Sequence, residues 1–92
     1  MTTRAVTVSN QLGLHARAAA RFVNVATQFI SQIRVGRDKR VMDGKSIMGI
    51  LLLAAPCGTT ITISAEGPDE GAAVEALVHL VEADFRGEPW NG

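Results

Sequence analysis

Thr60-Ile61-Thr62-Ile63-Ser64-Ala65 alternates polar and apolar residues and is the clearest strand in the sequence. Working outward from it, Pro68-Asp69-Glu70 opens a helix that runs to about Phe85. Its acids fall in the first turn, where the helix dipole favours them, and Val74, Leu77, Val78, Val81 and Phe85 form its apolar stripe. On the other side, Ala54–Gly58 with Pro56 ends a short helix, Ile47-Met48-Gly49-Ile50-Leu51-Leu52-Leu53, for which Ser46 is the N-cap candidate. Before that, Gln32–Val35 and Arg40–Met42 flank the polar stretch Gly36-Arg37-Asp38-Lys39 and read as a hairpin. From about Ala16 to Gln28 the spacing is helical, with Ala19, Phe22 or Val23, Ala26 and Phe29 or Ile30 on one face and alanines that favour helix intrinsically. Ala5–Ser9 alternates again, with Val6 and Val8 inward, and Asn10-Gln11-Leu12-Gly13 breaks the chain before the first helix. The order β-α-β-β-α-β-α predicts an α+β fold: a four-stranded, mainly antiparallel sheet with three helices on one face.

The 92 residues suffice for one domain, read as 1–92 with an ordered core from about 4 to 85. The tail 87–92 reads as frayed unless Trp90 folds back. With 47% hydrophobic and 20% charged residues the chain has a globular composition, and no apolar run approaches the roughly 20 residues of a membrane span. No apolar signal core follows Met-Thr-Thr-Arg, so neither export nor membrane insertion is expected and the predicted location is the cytoplasm. Cys57, the only cysteine, has no disulfide partner and reads as a small, semi-buried loop residue. Formal net charge is zero but uneven. Residues 1–45 hold eight basic and two acidic side chains, +6, and the remainder is −6. Such a distribution is either two ordinary solvated surfaces or a basic face that steers anionic partners. Nucleic acid is disfavoured, because the basic half has only Phe22 and Phe29 as aromatics and both read as core.

Chemistry is confined to few residues. His79 sits between Val78 and Leu80 with Glu75 and Glu82 at helical spacing, and reads as a solvated helix residue. No Cys or His cluster accompanies it, so no metal site is expected. His15 lies where a turn ends and a helix begins, in Gly13-Leu14-His15-Ala16-Arg17. The first N–H groups of a helix lack internal acceptors and favour an anion. Imidazole titrates near neutrality, so an unprotonated nitrogen is available as a nucleophile. A phosphoryl group on His15 would meet the amides of Ala16 and Arg17 and the Arg17 guanidinium, with small Ala16 and Ala18 leaving room for a partner. By these residues alone, a helix-capping surface histidine remains the competing account.

Gly13-Leu14-His15-Ala16-Arg17 resembles the active-site motif of the HPr family, the histidine phosphocarriers of the bacterial phosphoenolpyruvate-dependent phosphotransferase system. Lys45-Ser46-Ile47-Met48-Gly49 resembles the regulatory serine segment of that family, and Ile61-Thr62-Ile63-Ser64-Ala65-Glu66-Gly67 with an acidic helix start is a third match. The likeness spans about residues 4–85 and implies an open-faced β-sandwich with no cofactor. It further implies that enzyme I phosphorylates His15 on Nδ1 and that an A-type component of an enzyme II receives the phosphate. Arg17 takes the phosphate-neighbouring position, and the implied site is shallow and open to solvent. Partner contacts are expected from Ala20, Ile47, Met48 and Leu51, ringed by Arg17 and Arg21, on a protein that works as a monomer. Ser46 resembles the serine modified by HPr kinase/phosphorylase.

The chain departs from many family members at Ala18, where proline follows the active-site arginine. Variants without that proline occur in nitrogen-related and incomplete phosphotransferase systems. The alternative is therefore a regulatory module that binds a protein partner through the Ile47–Leu51 face and phospho-Ser46. A nucleic-acid or small-ligand domain on a ferredoxin-like scaffold is the third, weaker reading.

Overall fold

The strands and helices expected from the sequence are all present in the computed structural model, which describes residues 1–85. They run β1 (Thr2–Thr7), α1 (Ala16–Ala26), β2 (Gln32–Arg37), β3 (Arg40–Asp43), α2 (Ile47–Leu53), β4 (Thr60–Glu66) and α3 (Glu70–Glu82). The sheet order is β1-β4-β2-β3, antiparallel throughout. β4 is an interior strand between β1 and β2, and it alternates cleanly: Ile61, Ile63 and Ala65 are buried while Thr60 and Thr62 face water. Register places Val6 opposite Ile61, Val35 opposite Ile63 and Ile33 opposite Ala65, so the centre of one sheet face is apolar, with Arg4 and the Arg37–Arg40 pair at its margins.

That face is covered by the helices. α3 lies on β1 and β4, α2 lies on β3 and β2, and α1 contacts both other helices. Phe22, Ile50, Leu53, Leu77, Val74 and Val81 fill the space between layers and are essentially inaccessible. The outer face carries Thr3, Thr7, Thr60, Thr62 and Ser64, whose hydroxyls pair across strands as Thr3–Ser64 and Thr7–Thr60.

Several boundaries differ from expectation for identifiable reasons. β1 begins at Thr2 and stops at Thr7 because β4 pairs with it from Ala65 to Thr60. Val8 lies past the strand yet stays buried, its N–H bonded to Thr59 O and its carbonyl accepting from Gly58 N. α1 stops at Ala26, and of the alternatives Phe29 and Ile30 it is Phe29 that packs against the core, while Ile30 is 78% exposed. There the Ile30 and Ser31 amides both turn to the Asp69 carboxylate at 2.9 Å, so helical periodicity no longer governs the chain. α3 ends at Glu82, and Asp84 and Phe85 then take left-handed backbone. The Phe85 amide reaches back to Leu80 O, a helix-closing arrangement that buries the Phe85 ring. Cys57 is exposed rather than semi-buried. Trp90 and the tail lie outside the described residues.

Candidate functional site

The turn before α1 is fixed from beneath. Gly13 has φ +65°, and a Cβ there would stand 2.6 Å from Ala55 O and 2.9 Å from Pro56 Cα, so only glycine fits. Asn10 closes the turn twice: its carbonyl accepts from Gly13 N, and its Nδ2 donates to Gly13 O at 2.8 Å. Leu14 buries its side chain and donates its N–H to Ala55 O at 3.0 Å. The loop leaving α2 therefore carries the loop entering α1.

His15 is the N-cap residue of α1, with extended backbone (φ −83°, ψ 179°). Its carbonyl accepts from Ala19 N at 2.9 Å, while its side chain makes no capping hydrogen bond. The half-buried imidazole is thus held by its backbone, and its nitrogens make no hydrogen bond among the described residues. A histidine that merely capped the helix would spend its ring on the helix amides; this one does not. Ala16 and Arg17 are exposed, and Arg17 makes no hydrogen bond or ion pair among the described residues. Ala18 is fully buried, which corrects the expectation that it leaves room for a partner: it packs into the core beside Ala19.

Ser46 caps α2 as expected, its Oγ accepting from Gly49 N at 3.0 Å. The serine is half buried, and Lys45 next to it ties down Phe29 O through its Nζ at 2.7 Å. α2 is seven residues long, so it spans roughly 10 Å. Ser46 stands at one end of it and the Ala55 anchor beneath His15 just beyond the other.

Of the expected partner face, Ile47 and Met48 are exposed, Met48 by 64%. Leu51 is half buried against the core, and the outward leucine is Leu52, which sequence spacing could not separate within an Ile-Leu-Leu-Leu run. Ala20 is half buried. Arg21 does not simply ring the face, because its Nη1 donates to Phe85 O at 2.8 Å and closes the end of α3. The sequence also gave no warning of Leu12, 76% exposed in the turn before His15, nor of the Asn10 bracket. His79 is exposed on α3, in agreement with its reading as a solvated residue. Among the described residues no group of three His, Cys, Asp or Glu side chains is placed to hold a metal, and no helix is long and apolar enough to cross a membrane.

An antiparallel sheet covered on one side, with a histidine at the mouth of the first helix, defines a small α+β protein of the open-faced sandwich class. The family model described as "PTS HPr component phosphorylation site" matches residues 2–83. The phosphocarrier protein HPr of Cupriavidus necator is 46% identical over 85 residues, covering 92% of this chain and 96% of that one. The crystal structure of an HPr from Thermoanaerobacter tengcongensis superposes with a TM-score of 0.89 at 46% identity, over 92% of this chain and 96% of that one. The chain belongs to the HPr family, the phosphocarriers of the phosphotransferase system. The monomer expectation finds no support among its relatives. Crh, a Bacillus subtilis catabolite repression protein, is similar (TM-score 0.74, 39% identity, 91% of this chain and 97% of that one) and is described as a swapped dimer.

Proposed function

We propose that His15 is the phosphoryl-carrying residue, accepting phosphate on Nδ1 from phosphorylated enzyme I and passing it to an A-type enzyme II component in the cytoplasm. The observation that carries this reading is the state of the His15 side chain: a helix-entry imidazole, fixed through its backbone and free of any capping hydrogen bond. In the transfer, the imidazole nitrogen attacks phosphorus in line as the donor's phosphorus–nitrogen bond breaks. The phosphoryl oxygens then lie at the start of α1, where the Ala16 and Arg17 amides and the uncommitted Arg17 guanidinium offset their charge. Exposure of Ala16 and Arg17 supports a shallow site. Such a site serves a carrier, because phosphate held too tightly would not move on.

Partners dock on the exposed Ile47, Met48 and Leu52 of α2, which packs against α1, with Ala20 and Leu51 at the edge. Arg17 contributes charge there. Ser46 is the regulatory site for an HPr kinase/phosphorylase. A phosphate on its Oγ would sit at the N-terminal end of α2, which tolerates it, and add up to about −2 charge next to the docking face. It is expected to weaken docking to enzyme I without unfolding the protein. The likeness to Crh favours a regulatory use of the same face as the second reading.

The test is incubation with phosphoenolpyruvate, magnesium and cognate enzyme I, read by intact mass. One acid-labile phosphate, absent in His15→Ala, is the expected result. No labelling by an enzyme I shown to be active on another carrier would dispose of the reading.

A further inference from the structure

Ala54, the C-cap of α2, lies in the left-handed region at φ 53° and ψ 44°, a conformation that favours glycine. Something else must hold it, and the β2–β3 hairpin supplies it. Arg37 Nη1 donates to Leu53 O at 3.1 Å and to Ala54 O at 2.8 Å, and Arg40 Nη1 donates to Leu52 O at 3.1 Å. These are the carbonyls that the end of a helix leaves without internal donors, and cations are favoured there. Arg37 Nε has no hydrogen-bond partner among the described residues, with Asp38 Oδ2 3.7 Å away, so within them the hydrogen bonds of this guanidinium all go to the last turn of α2. The next residue is Ala55, buried, whose carbonyl accepts from Leu14 N and abuts Gly13. His15 follows Leu14 directly.

We propose that Arg37 is a positioning residue for phosphoryl transfer: by holding the left-handed Ala54 turn it fixes Ala55, and through Ala55 it places Leu14 and His15. This rests on the carrier reading of His15 and adds a distant side chain to it. Arg37 touches no phosphoryl group. It sets the height and tilt of the loop from which His15 reaches its partner, and a one-ångström error there is costly to an in-line exchange.

The experiment compares wild type, Arg37→Met, Ala54→Gly and the double variant by amide hydrogen exchange and by phosphorylation with enzyme I. In Arg37→Met the Leu14 amide is expected to exchange about tenfold faster, while the sheet amides of Val35 and Ile63 keep their protection. The turnover number for phosphorylation falls by about tenfold, with the KM of enzyme I for the carrier little changed. Adding Ala54→Gly makes the left-handed turn intrinsically favourable, so it restores both Leu14 protection and turnover. Unchanged Leu14 exchange in Arg37→Met overturns the proposal. So does a loss that appears in KM and is not restored by Ala54→Gly, because Arg37 would then be a partner contact. Should Arg37→Met not fold, Arg37→Lys with and without Ala54→Gly carries the same comparison, with a smaller loss and the same restoration expected. Failure of the wild type to take phosphate sinks the carrier reading separately, since the exchange measurement needs no enzyme.

Discussion

Two residues bracket what His15 can do. Gly13 lets the chain pass against Ala55 O and Pro56 at a positive φ. Gly13→Ala combines backbone strain with overlap against main-chain atoms that cannot swing away, and is expected to cost about 2 kcal/mol or more. In a domain of this size that is a fall in Tm of roughly 8–16 °C, readable by calorimetry. A Tm within a degree of wild type would mean that the loop is not seated on Ala55. At Ser46 the capping role and the proposed regulatory role can be separated in one side chain. Ser46→Ala removes the acceptor for Gly49 N and should cost about 1 kcal/mol. Ser46→Asp keeps an acceptor there and should retain the Tm while weakening enzyme I binding, measured by calorimetric titration. An aspartate variant that binds enzyme I as tightly as wild type contradicts the regulatory role. The sequence exposed both residues through spacing: glycine two before histidine, serine one before an apolar helix. Asn10 was hidden because its bonds to Gly13 close a turn whose polar composition looked generic.

At the scale of elements, the start of α3 ties down the start of β1. Glu70 Oε2 accepts from Thr2 Oγ1 at 2.7 Å and lies 3.1 Å from the Met1 ammonium, while Oε1 accepts from Gly67 N. The Thr2 hydroxyl first, then the Gly67 amide and the amino terminus, lower the Glu70 pKa from 4.5 to about 2. A carboxyl whose folded pKa is depressed binds its proton more readily when unfolded. Its contribution is therefore complete above pH 4.5 and is lost as pH falls towards 2. Glu70→Gln should lower the Tm at neutral pH, and the difference should shrink through that window. A gap between the two melting curves that stays constant from pH 7 to pH 2 would contradict this coupling. Asp69 is lowered too, by the Ser31 hydroxyl first and then the Ile30 amide, so both clamps weaken in acid. Element existence was legible because period two and period 3.6 are distinct in Thr60–Ala65 and in Val74–Val81. Boundaries were less so. α1 ends where the distant Asp69 captures the next turn, and no local pattern records that.

For the molecule as a whole, the helices close one sheet face, and the proposed docking surface is the exposed side of α2. Exposed Met48 and Leu52 carry no core load, while Ile50 and Leu53 of the same helix are fully buried. Met48→Asp or Leu52→Asp should raise the KM of enzyme I for the carrier by about tenfold or more. The Tm should shift little, as surface changes stay within about 0.5 kcal/mol. Equal loss of stability and docking would place these side chains in the core instead. The order of elements showed the fold in the sequence, and the histidine and arginine motif marked the site. Which leucine of α2 faces outward, and which arginines are occupied, depends on packing between segments far apart in the chain. Among the described residues Arg17 has no partner while Arg21 is spent on Phe85 O, a difference the one-dimensional spacing cannot carry.

The central claim is that His15 both takes a phosphoryl group and gives it up. It is tested most directly by isolating the protein phosphorylated by enzyme I and mixing it with an A-type enzyme II component. Intact masses of both proteins are then followed through one turnover. Loss of one phosphate from this chain, matched by its gain on the acceptor and abolished by His15→Ala, is the predicted result. Phosphate that persists on His15 in the presence of an acceptor that discharges other HPr proteins, or labelling that survives His15→Ala, would contradict it.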